Sequence, residues 1–449
     1  MNKIGLGSII AMTLVSVANI RNLPNIASHG PELVFFVTLA AIFFLIPVAL
    51  ASGFLSSRHK ETGGVYLWVR SVFPVEVAFL AAWLQWIENV FYYPVLLIFI
   101  AENFLSLFFD GVINSQYVFA VIPVVFIVMT YINTRGIFVS ARLSRICMVL
   151  GLLLPVVLIV MASAYHLLYA PVVVPQLHQL MPSSADNITQ IVVSVVVMFC
   201  GIEIATVHAG DVEDAKKTYP RAIFLSSVMI YAFMILGALS LVIQADGPIN
   251  EITGLISFYK QSFGSNNSVL VGFITLLILL GQIGGLNNWI ISPVRSLQVA
   301  FSEHPNLSRH LPANPDDATT RLLWLQAALV MLICLIFLNV STQVGYFIFN
   351  ELIVLLYMPM YIIILLAMCV DHQVDTEYSL EIWGGRKTRF VMAFLGIGMC
   401  LFVMGLSLLH KPSQFSGYTL FEYQLMVGVP WLISMFFPFI LGLLSVKGR

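Results

Sequence analysis

The chain has 449 residues, of which 59% are hydrophobic and only 10% are charged. A soluble domain carries about 25% charged residues, so this composition excludes an ordinary water-soluble fold and indicates a protein of the lipid bilayer. The net charge of -1 gives no indication of a nucleic-acid partner, and we expect none.

Twelve apolar segments are long enough to cross a membrane at about 20 residues per crossing. In chain order they cover residues 5–29, 33–57, 75–108, 116–134, 141–168, 188–208, 221–245, 268–301, 320–340, 346–370, 388–410 and 423–446. Every backbone polar group in hydrocarbon needs an internal hydrogen bond, and these segments are too long for barrel strands. The sequence therefore predicts an all-α polytopic membrane bundle of about twelve transmembrane helices, forming one transporter domain over residues 1–449.

The basic residues predict the orientation of this bundle. If the segments alternate in direction, 18 of the 21 Lys and Arg fall on the side of the N-terminus, and only Lys260 and Lys411 fall on the other. The remaining one, Arg21, lies within the first segment. By the positive-inside rule both termini are expected to be cytoplasmic, in a cell membrane of the inner or plasma type.

The first segment contains a charge and a helix-breaking sequence where a simple anchor would be apolar. Arg21 lies in the run Ala18-Asn19-Ile20-Arg21-Asn22-Leu23-Pro24. A charge at mid-bilayer costs about 2.5 to 3.5 kcal/mol and usually faces a partner or a water-filled cavity. Because Asn competes for backbone hydrogen bonds and Pro removes one, we expect the helix to break here.

A second interruption is predicted in the sixth segment, at Phe199-Cys200-Gly201-Ile202-Glu203. Five crossings separate it from the first, so the two broken segments enter the bilayer from opposite faces. Broken helices in corresponding positions indicate the binding site of a transporter built from inverted repeats. We expect the repeats to cover 1–170 and 188–370, a five-plus-five arrangement with discontinuous helices 1 and 6, followed by two additional helices over 388–446.

The two interruptions suit a zwitterion. The half-helix after Asn19 is expected to offer free N–H groups to an anion, and the half-helix that ends near Phe199 is expected to offer free carbonyl groups to a cation. The predicted substrate-binding residues are therefore those at the two interruptions, together with Trp289: Val17, Ala18, Asn19, Arg21, Phe199, Cys200, Gly201 and Trp289.

Several motifs spread along the chain resemble the amino acid–polyamine–organocation (APC) superfamily, and most of all its glutamate/4-aminobutyrate antiporter branch. They are Ser28-His29-Gly30-Pro31-Glu32-Leu33-Val34-Phe35-Phe36, Gly63-Gly64-Val65-Tyr66-Leu67-Trp68-Val69, Gly201-Ile202-Glu203, Tyr219-Pro220-Arg221-Ala222, and Trp289 with Pro293 and Arg295. The resemblance implies a five-plus-five inverted repeat, alternating access and amino acid exchange. It also implies that Trp289 closes over the substrate and that Glu203 participates in gating.

Two positions depart from the pattern of that superfamily. Many members have a Gly-Ser-Gly break in segment one, whereas this chain has Val17-Ala18-Asn19, whose side chains crowd the backbone that would bind a carboxylate. Several members also carry a Lys in segment five that replaces a sodium ion, and the matching residue here is Gly151. Neither that Lys nor an evident sodium cage is present in the sequence.

The charged residues within the segments leave alternatives open. Arg21 either attracts an anionic substrate group or pairs structurally with one of the acids Glu88, Glu203 and Glu351. Glu203 either gates transport by changing its protonation or caps the backbone freed by the break. Glu88 and Glu351 either line the same aqueous path, with a role in gating or proton coupling, or serve as partners of Arg21 or of each other.

The aromatic candidates also have a structural alternative. Tyr357 and Tyr361 are spaced by four on one helical face, flank Pro359, and either gate the inner pathway or simply pack. Trp289 follows two Gly and two Asn and is placed too deep for an interfacial anchor, which favours a site role. Cys200 is interpreted as a small residue that permits the break. The five cysteines lie within or at the edges of apolar segments, so we predict no disulfide.

No Walker loop, catalytic triad spacing or metal-ligand spacing occurs in the sequence, so we predict neither an enzyme nor a cofactor nor a metal site. The function predicted is that of a secondary active amino acid transporter, an amino acid/amine antiporter working by alternating access. The expected partners are the amino acid or amine substrate, membrane lipid and, in some mechanisms, protons. A proton-coupled symporter is the first alternative, and a sensor that binds without transporting is the second.

Overall fold

The computed structural model describes residues 4–59, 63–109, 113–135, 143–169, 177–182, 185–212, 214–245, 247–250, 253–264, 268–304, 307–336, 342–371, 385–412, 415 and 417–446. Within these ranges the chain is helical apart from turns and one isolated β-bridge, which pairs Ile4 with Val212. The all-α fold predicted from the sequence is confirmed.

The described residues form sixteen α-helices, and the first eight of these end before residue 170. They are α1 (Leu6–Val17), α2 (Asn22–Ala27), α3 (Leu33–Ala40), α4 (Ile46–Arg58), α5 (Val65–Arg70), α6 (Val75–Leu105), α7 (Ser115–Asn133) and α8 (Leu154–Tyr169). A π-helical turn over Ala41–Leu45 joins α3 to α4 into one long element, and another over Cys147–Leu153 precedes α8. Such π-turns let a helix continue while it absorbs an irregular contact with a neighbour.

Eight further α-helices follow. They are α9 (Ala185–Met198), α10 (Ala215–Gln244), α11 (Gly254–Phe263), α12 (Ser268–Glu303), α13 (Pro315–Ile336), α14 (Thr342–Val370), α15 (Gly385–Leu409) and α16 (Leu420–Val446). Between α9 and α10 lies a 3-10 helix over Ile204–Asp211.

Ten elements of the described chain are long and apolar enough to cross a membrane. They correspond to ten of the twelve predicted segments. The other two are segments one and six, which the structure divides into α1 with α2 and α9 with the 3-10 helix. The structure thus interrupts the two segments in which the sequence predicted a break. The division of the bundle into inverted repeats stays a prediction.

Helix α6 lies at the centre of the bundle, where it packs mainly against α12 and α14. Its polar side chains Gln85, Glu88 and Asn89 are buried, whereas large apolar side chains of outer helices such as Phe394 and Phe421 are exposed. This inside-out distribution is expected for a helical bundle in lipid, whose outer surface meets hydrocarbon. The protein is an integral membrane protein whose largely apolar interior also contains buried polar side chains.

The segment around Gly151 packs directly on α12, backbone against backbone. A Cβ atom on Gly151 would lie 2.1 Å from the amide nitrogen of Gly281, and one on Gly284 would lie 2.3 Å from the Cβ of Cys147. Small residues permit such close approach between membrane helices. Position 151 therefore has no room for any side chain, let alone the lysine that some superfamily members carry in this segment.

Candidate functional site

The first interruption occupies residues 18–21, between α1 and α2. The last regular hydrogen bond of α1 runs from the amide of Ala18 to Leu14, and the amide of Asn19 then turns back to Val17 at 2.7 Å. The side-chain Oδ1 of Asn19 accepts a hydrogen bond from the amide of Arg21 at 3.0 Å. Asn19 thus breaks the helix by the local side-chain bond that its residue type favours.

The expectation of free N–H groups after Asn19 is wrong for three of them. Besides the amide of Arg21, the amide of Asn22 donates to Asn19 O at 2.9 Å and that of Leu23 to Ile20 O at 3.2 Å. These three donors are therefore already hydrogen-bonded within the chain, two of them to backbone carbonyl groups and one to the side chain of Asn19. An anion at this interruption would have to bind side chains instead.

The second interruption occupies residues 199–203. The amides of Phe199 and Cys200 close tight turns onto Val196 and Val197, and the backbone then reverses at Gly201, whose φ is +99°. Glycine tolerates this positive φ because it has no Cβ. Among the described residues, no hydrogen bond is made to the carbonyl oxygens of Phe199 or Cys200, so both remain available as acceptors.

A single side chain, Trp289, touches both interruptions. Its indole Nε1 donates to the carbonyl of Ser16 at 3.1 Å, at the end of α1. In the six-membered ring of the same indole, Cζ2 and Cη2 lie 2.5 and 2.6 Å from the position that a Cβ on Gly201 would occupy. Because one indole contacts both, the end of α1 and the second interruption lie close together in the bundle.

Glu203 accepts three hydrogen bonds in a buried network at the end of the second interruption. Its Oε1 accepts from Gln85 Nε2 at 3.1 Å and from the Tyr357 hydroxyl at 2.7 Å, while Oε2 accepts from the Tyr361 hydroxyl at 2.8 Å. The Tyr361 hydroxyl also accepts from the amide of Gly201 at 2.7 Å. The carboxylate thereby joins α6, the interruption and α14 at one point.

Helix α6 contributes a polar stripe that passes this network. Gln85, Glu88, Asn89 and Tyr92 recur at helical spacing on one face. Glu88 accepts a hydrogen bond from Asn89 Nδ2 at 2.9 Å, and the Tyr92 hydroxyl accepts one from Asn19 at 3.3 Å. Of these residues only Glu88 was predicted from the sequence, although the helical spacing itself indicates Gln85 and Tyr92.

Arg21 is buried, with 4% of its surface exposed, and its guanidinium lies between two aromatic rings. Nη1 donates to the hydroxyl of Tyr346 at 3.2 Å, and the guanidinium carbon stands 5.6 Å from the ring centre of Tyr92 and 6.0 Å from that of Tyr346. Such cation–π contacts favour a desolvated guanidinium. Tyr346 was not identified from the sequence, because its contact with Arg21 depends on how α14 packs against α2.

The pairing of Arg21 with a buried acid is not found. Across the described residues, no salt bridge joins it to Glu88, Glu203 or Glu351. Glu203 is instead satisfied by neutral donors and Glu88 by an amide. Glu351 lines the same cleft as Arg21, and its Oε2 has no hydrogen-bond partner. The alternative in which these acids neutralise Arg21 is therefore wrong for this conformation.

On the side where α1 begins, the segment around α5 covers the interior. The amide of Gly63 donates to the carbonyl of Val207 at 3.3 Å, and Ser296 Oγ donates to the carbonyl of Gly63 at 3.1 Å. The hydroxyl of Tyr66 donates to Glu303 at 2.9 Å, and burial raises the pKa of Tyr66 above its ordinary value. These contacts join α5 to the 3-10 helix and to α12, which closes this side of the site.

All five cysteines are free thiols, and Cys200 is buried beside Gly201. Among the described residues, no group of three His, Cys, Asp or Glu side chains could hold a metal ion.

Comparison with known proteins agrees with this architecture. The family model described as Amino acid permease matches residues 4–435. The chain belongs to the amino acid permease family. Membership confirms the resemblance to the APC superfamily, and it makes this permease a transporter of a small-molecule substrate, an amino acid or amine, rather than an enzyme.

Curated relatives of this permease cover nearly its whole length. An uncharacterized transporter of Legionella pneumophila is 29% identical over 444 residues, which is 95% of this chain and 95% of the relative. A glutamate/gamma-aminobutyrate antiporter of Lactococcus lactis is 23% identical over 461 residues, which is 98% of this chain and 90% of that protein. An aspartate/glutamate permease of the same species is 24% identical over 64% of this chain and 62% of that protein.

Proposed function

We propose that the chain is an amino acid antiporter of the cell membrane, with both termini cytoplasmic, which exchanges one amino acid or its decarboxylated amine for another by alternating access. The observation that carries this proposal is that two interrupted helices contact the same indole ring, that of Trp289. The name of the Lactococcus lactis antiporter, 23% identical over 98% of the chain, supports exchange as the mode of transport.

The substrate would bind at the level of Trp289. Its ammonium group has the carbonyl oxygens of Phe199 and Cys200 as acceptors, since these accept no hydrogen bond from the described residues. Its carboxylate would lie towards the other interruption, where Val17, Ala18 and Asn19 supply the wall. Trp289 fills the space between the interruptions in this conformation, so it has to move when the substrate reaches them.

Glu203, Tyr357 and Tyr361 would form the gate. Their hydrogen bonds join α14 to the second interruption, so they have to break or rearrange when α14 moves relative to it. A buried carboxylate with three donors is stable in one arrangement and costly in any arrangement that leaves it without partners. The network therefore favours two discrete states over a continuum, as alternating access requires. Glu88, also buried on α6, is the candidate for proton coupling.

Counterflow in proteoliposomes tests the proposal. Vesicles containing the purified chain are loaded with an unlabelled amino acid or amine and diluted into labelled substrate at pH 5 and pH 7, with protein-free vesicles as the control. Exchange predicts accumulation of label only when counter-substrate is inside, and Trp289→Ala should abolish it. If a proton gradient drives uptake into unloaded vesicles, the protein is a proton-coupled symporter and not an exchanger. Binding without any flux would indicate the sensor.

A further inference from the structure

A polar cavity lies near Tyr92 and Tyr346, at another level of α6 and α14 than the residues that hydrogen-bond Glu203. It is bounded by α2, α9 and α14, and we call it the Arg21 cleft. Its polar lining consists of Arg21, Asn22, Asn25, Ser194, Asn350 and Glu351. Since α2 follows the first interruption and α9 precedes the second, the cleft faces the side opposite to that where α1 begins.

Two opposite charges line this cleft without neutralising each other. Arg21 is 4% exposed and its Nε has no hydrogen-bond partner, and Glu351 is 8% exposed and its Oε2 has none. No salt bridge joins the two in the structure. A buried guanidinium stays charged and is strongly unfavourable without a counter-charge, which the described protein does not supply to Arg21. The carboxyl group of Glu351 is neutral when it is protonated, and an ammonium group beside it favours the ionised form.

The backbone strengthens the case for Arg21 as the anion receptor. The amide groups of Arg21, Asn22 and Leu23, which could otherwise bind a carboxylate, are already hydrogen-bonded within the chain. Among the described residues, the guanidinium makes one hydrogen bond, from Nη1 to the neutral hydroxyl of Tyr346. A guanidinium offers five N–H donors in a planar fork that matches a carboxylate.

A wall of aromatic rings separates the cleft from the second interruption. The guanidinium of Arg21 contacts the ring of Tyr92, the centre of that ring stands 5.0 Å from the centre of the Trp289 ring, and the six-membered ring of Trp289 covers Gly201. A ligand in the cleft would therefore lie one layer above the central site, with Tyr92 and Trp289 between them.

We propose that the Arg21 cleft is a first binding station that selects dipolar ions, with Arg21 holding the carboxylate and Glu351 the ammonium. This inference rests on the proposed function, and it specifies the substrate class. A ligand of zero net charge that carries both groups compensates both buried side chains at once. An amine without a carboxylate leaves Arg21 uncompensated, and a carboxylate without an amine leaves Glu351 uncompensated. Each is rejected by the charge it fails to neutralise.

The test measures binding to the full chain in nanodiscs with three matched probes. They are 4-aminobutyrate, butyrate and butylamine, which share a carbon chain and differ in the charged groups. Wild type should bind 4-aminobutyrate about tenfold to a hundredfold more tightly than either truncated probe. Arg21→Gln should weaken 4-aminobutyrate by a similar factor and leave butylamine unchanged, whereas Glu351→Gln should weaken it and leave butyrate unchanged.

Controls separate recognition from folding. Lys260→Gln removes an exposed positive charge of α11, outside the cleft lining, and should change none of the three affinities. Arg21→Lys, which keeps the charge, should recover part of the affinity lost in Arg21→Gln. Each variant is checked by size-exclusion profile and melting temperature before its affinity is compared.

Three results would overturn the inference. The first is equal affinity of wild type for the three probes, and the second is a failure to bind any of them. The third is full recovery of affinity in Arg21→Glu combined with Glu351→Arg, which would mean that the two side chains only need each other. In all three cases, counterflow of another amino acid by wild type would leave the proposed function standing, whereas its absence would refute that function independently.

Discussion

At the scale of single residues, the site depends on two positions, 201 and 19, at which the residue type itself produces the local backbone conformation. Gly201 has a positive φ, which suits glycine, and an indole where its side chain would be. Asn19 uses its amide group to end a helix. Both roles follow from elementary properties of the residue type, and for this reason the sequence could indicate them.

Gly201→Ala is expected to destabilise the fold. The alanine Cβ would lie 2.5 Å from Cζ2 of Trp289, and the residue would keep a φ near +99°. Strain of this kind costs about 1 to 3 kcal/mol, so we expect a lower melting temperature and loss of exchange in vesicles. Gly398→Ala is the matched control, because no atom lies within 4 Å of its new Cβ. Combining Gly201→Ala with Trp289→Ala should recover part of the lost stability, and a wild-type melting temperature in Gly201→Ala alone would contradict the prediction.

His304, which follows α12, gives a pH dependence at the same scale. Its ring packs against Phe79 with 5.3 Å between ring centres, and burial lowers the pKa of His304 below its ordinary value of 6.5, although Glu76 opposes the shift. The unfolded chain therefore binds this proton at a higher pH than the folded chain, and stability is lost as the pH falls through 6.5. Thermal unfolding at pH 5 and pH 7.5 should show a smaller difference in His304→Phe than in wild type. An identical difference would assign the acid sensitivity to other groups.

At the scale of helices, the two interruptions could be predicted from the sequence, whereas the π-helical turns could not. A Pro, two Asn and an Arg in one apolar segment, and a Gly next to a Glu in another, mark positions where a continuous helix is unfavourable. The π-turns at Ala41–Leu45 and Cys147–Leu153 have no such mark, because they arise from the way a helix packs on its neighbours. The sequence likewise predicted only part of the Glu203 network. It indicated Glu203, Tyr357 and Tyr361 as candidates, but not Gln85 or the hydrogen bonds among them, because helical periodicity does not show which helices pack together.

The contact between Gly151 and Gly281 gives a prediction at this scale. Gly281→Ala would place a Cβ 2.2 Å from the carbonyl oxygen of Gly151, and backbone atoms cannot move aside as a flexible side chain can. The π-turn and α12 must then separate, which overpacking data suggest costs about 1 to 3 kcal/mol. Gly272→Ala on the same helix is the control, since its Cβ would only approach Leu107 at 3.9 Å. A drop in melting temperature confined to Gly281→Ala is expected, and equal drops in both variants would argue against the contact.

At the scale of the whole molecule, the described contacts close one side of the site and leave a polar cleft on the other. Gly63, Tyr66 and Ser296 join the side where α1 begins, and the Arg21 cleft lies near Tyr92 and Tyr346. Composition and segment count were enough to predict the bundle, and particular residues within segments one and six predicted its two broken helices. Which side is closed depends on hydrogen bonds between elements far apart in the sequence, and the pattern of residue types does not specify these.

Alternating access makes Cys200 a reporter of the state of the whole molecule. Cys200 is 7% exposed here, and it lies between Phe199 and Gly201 at the interruption that the Glu203 network holds closed. In a background where the other four cysteines are Ser, a hydrophilic thiol reagent should label Cys200 slowly. Glu203→Gln replaces one carboxylate oxygen with an amide nitrogen, which cannot accept the hydrogen bond of the tyrosine on that side. Loss of one such bond is worth about 1.4 kcal/mol, or about tenfold in the population of the open state, so labelling should be about tenfold faster.

Cys334, 6% exposed on α13, is the matched single-cysteine control and should react at the same rate with or without Glu203→Gln. Equal acceleration at both cysteines would mean general loosening of the fold, and no acceleration at Cys200 would mean that Glu203 does not control access to the site.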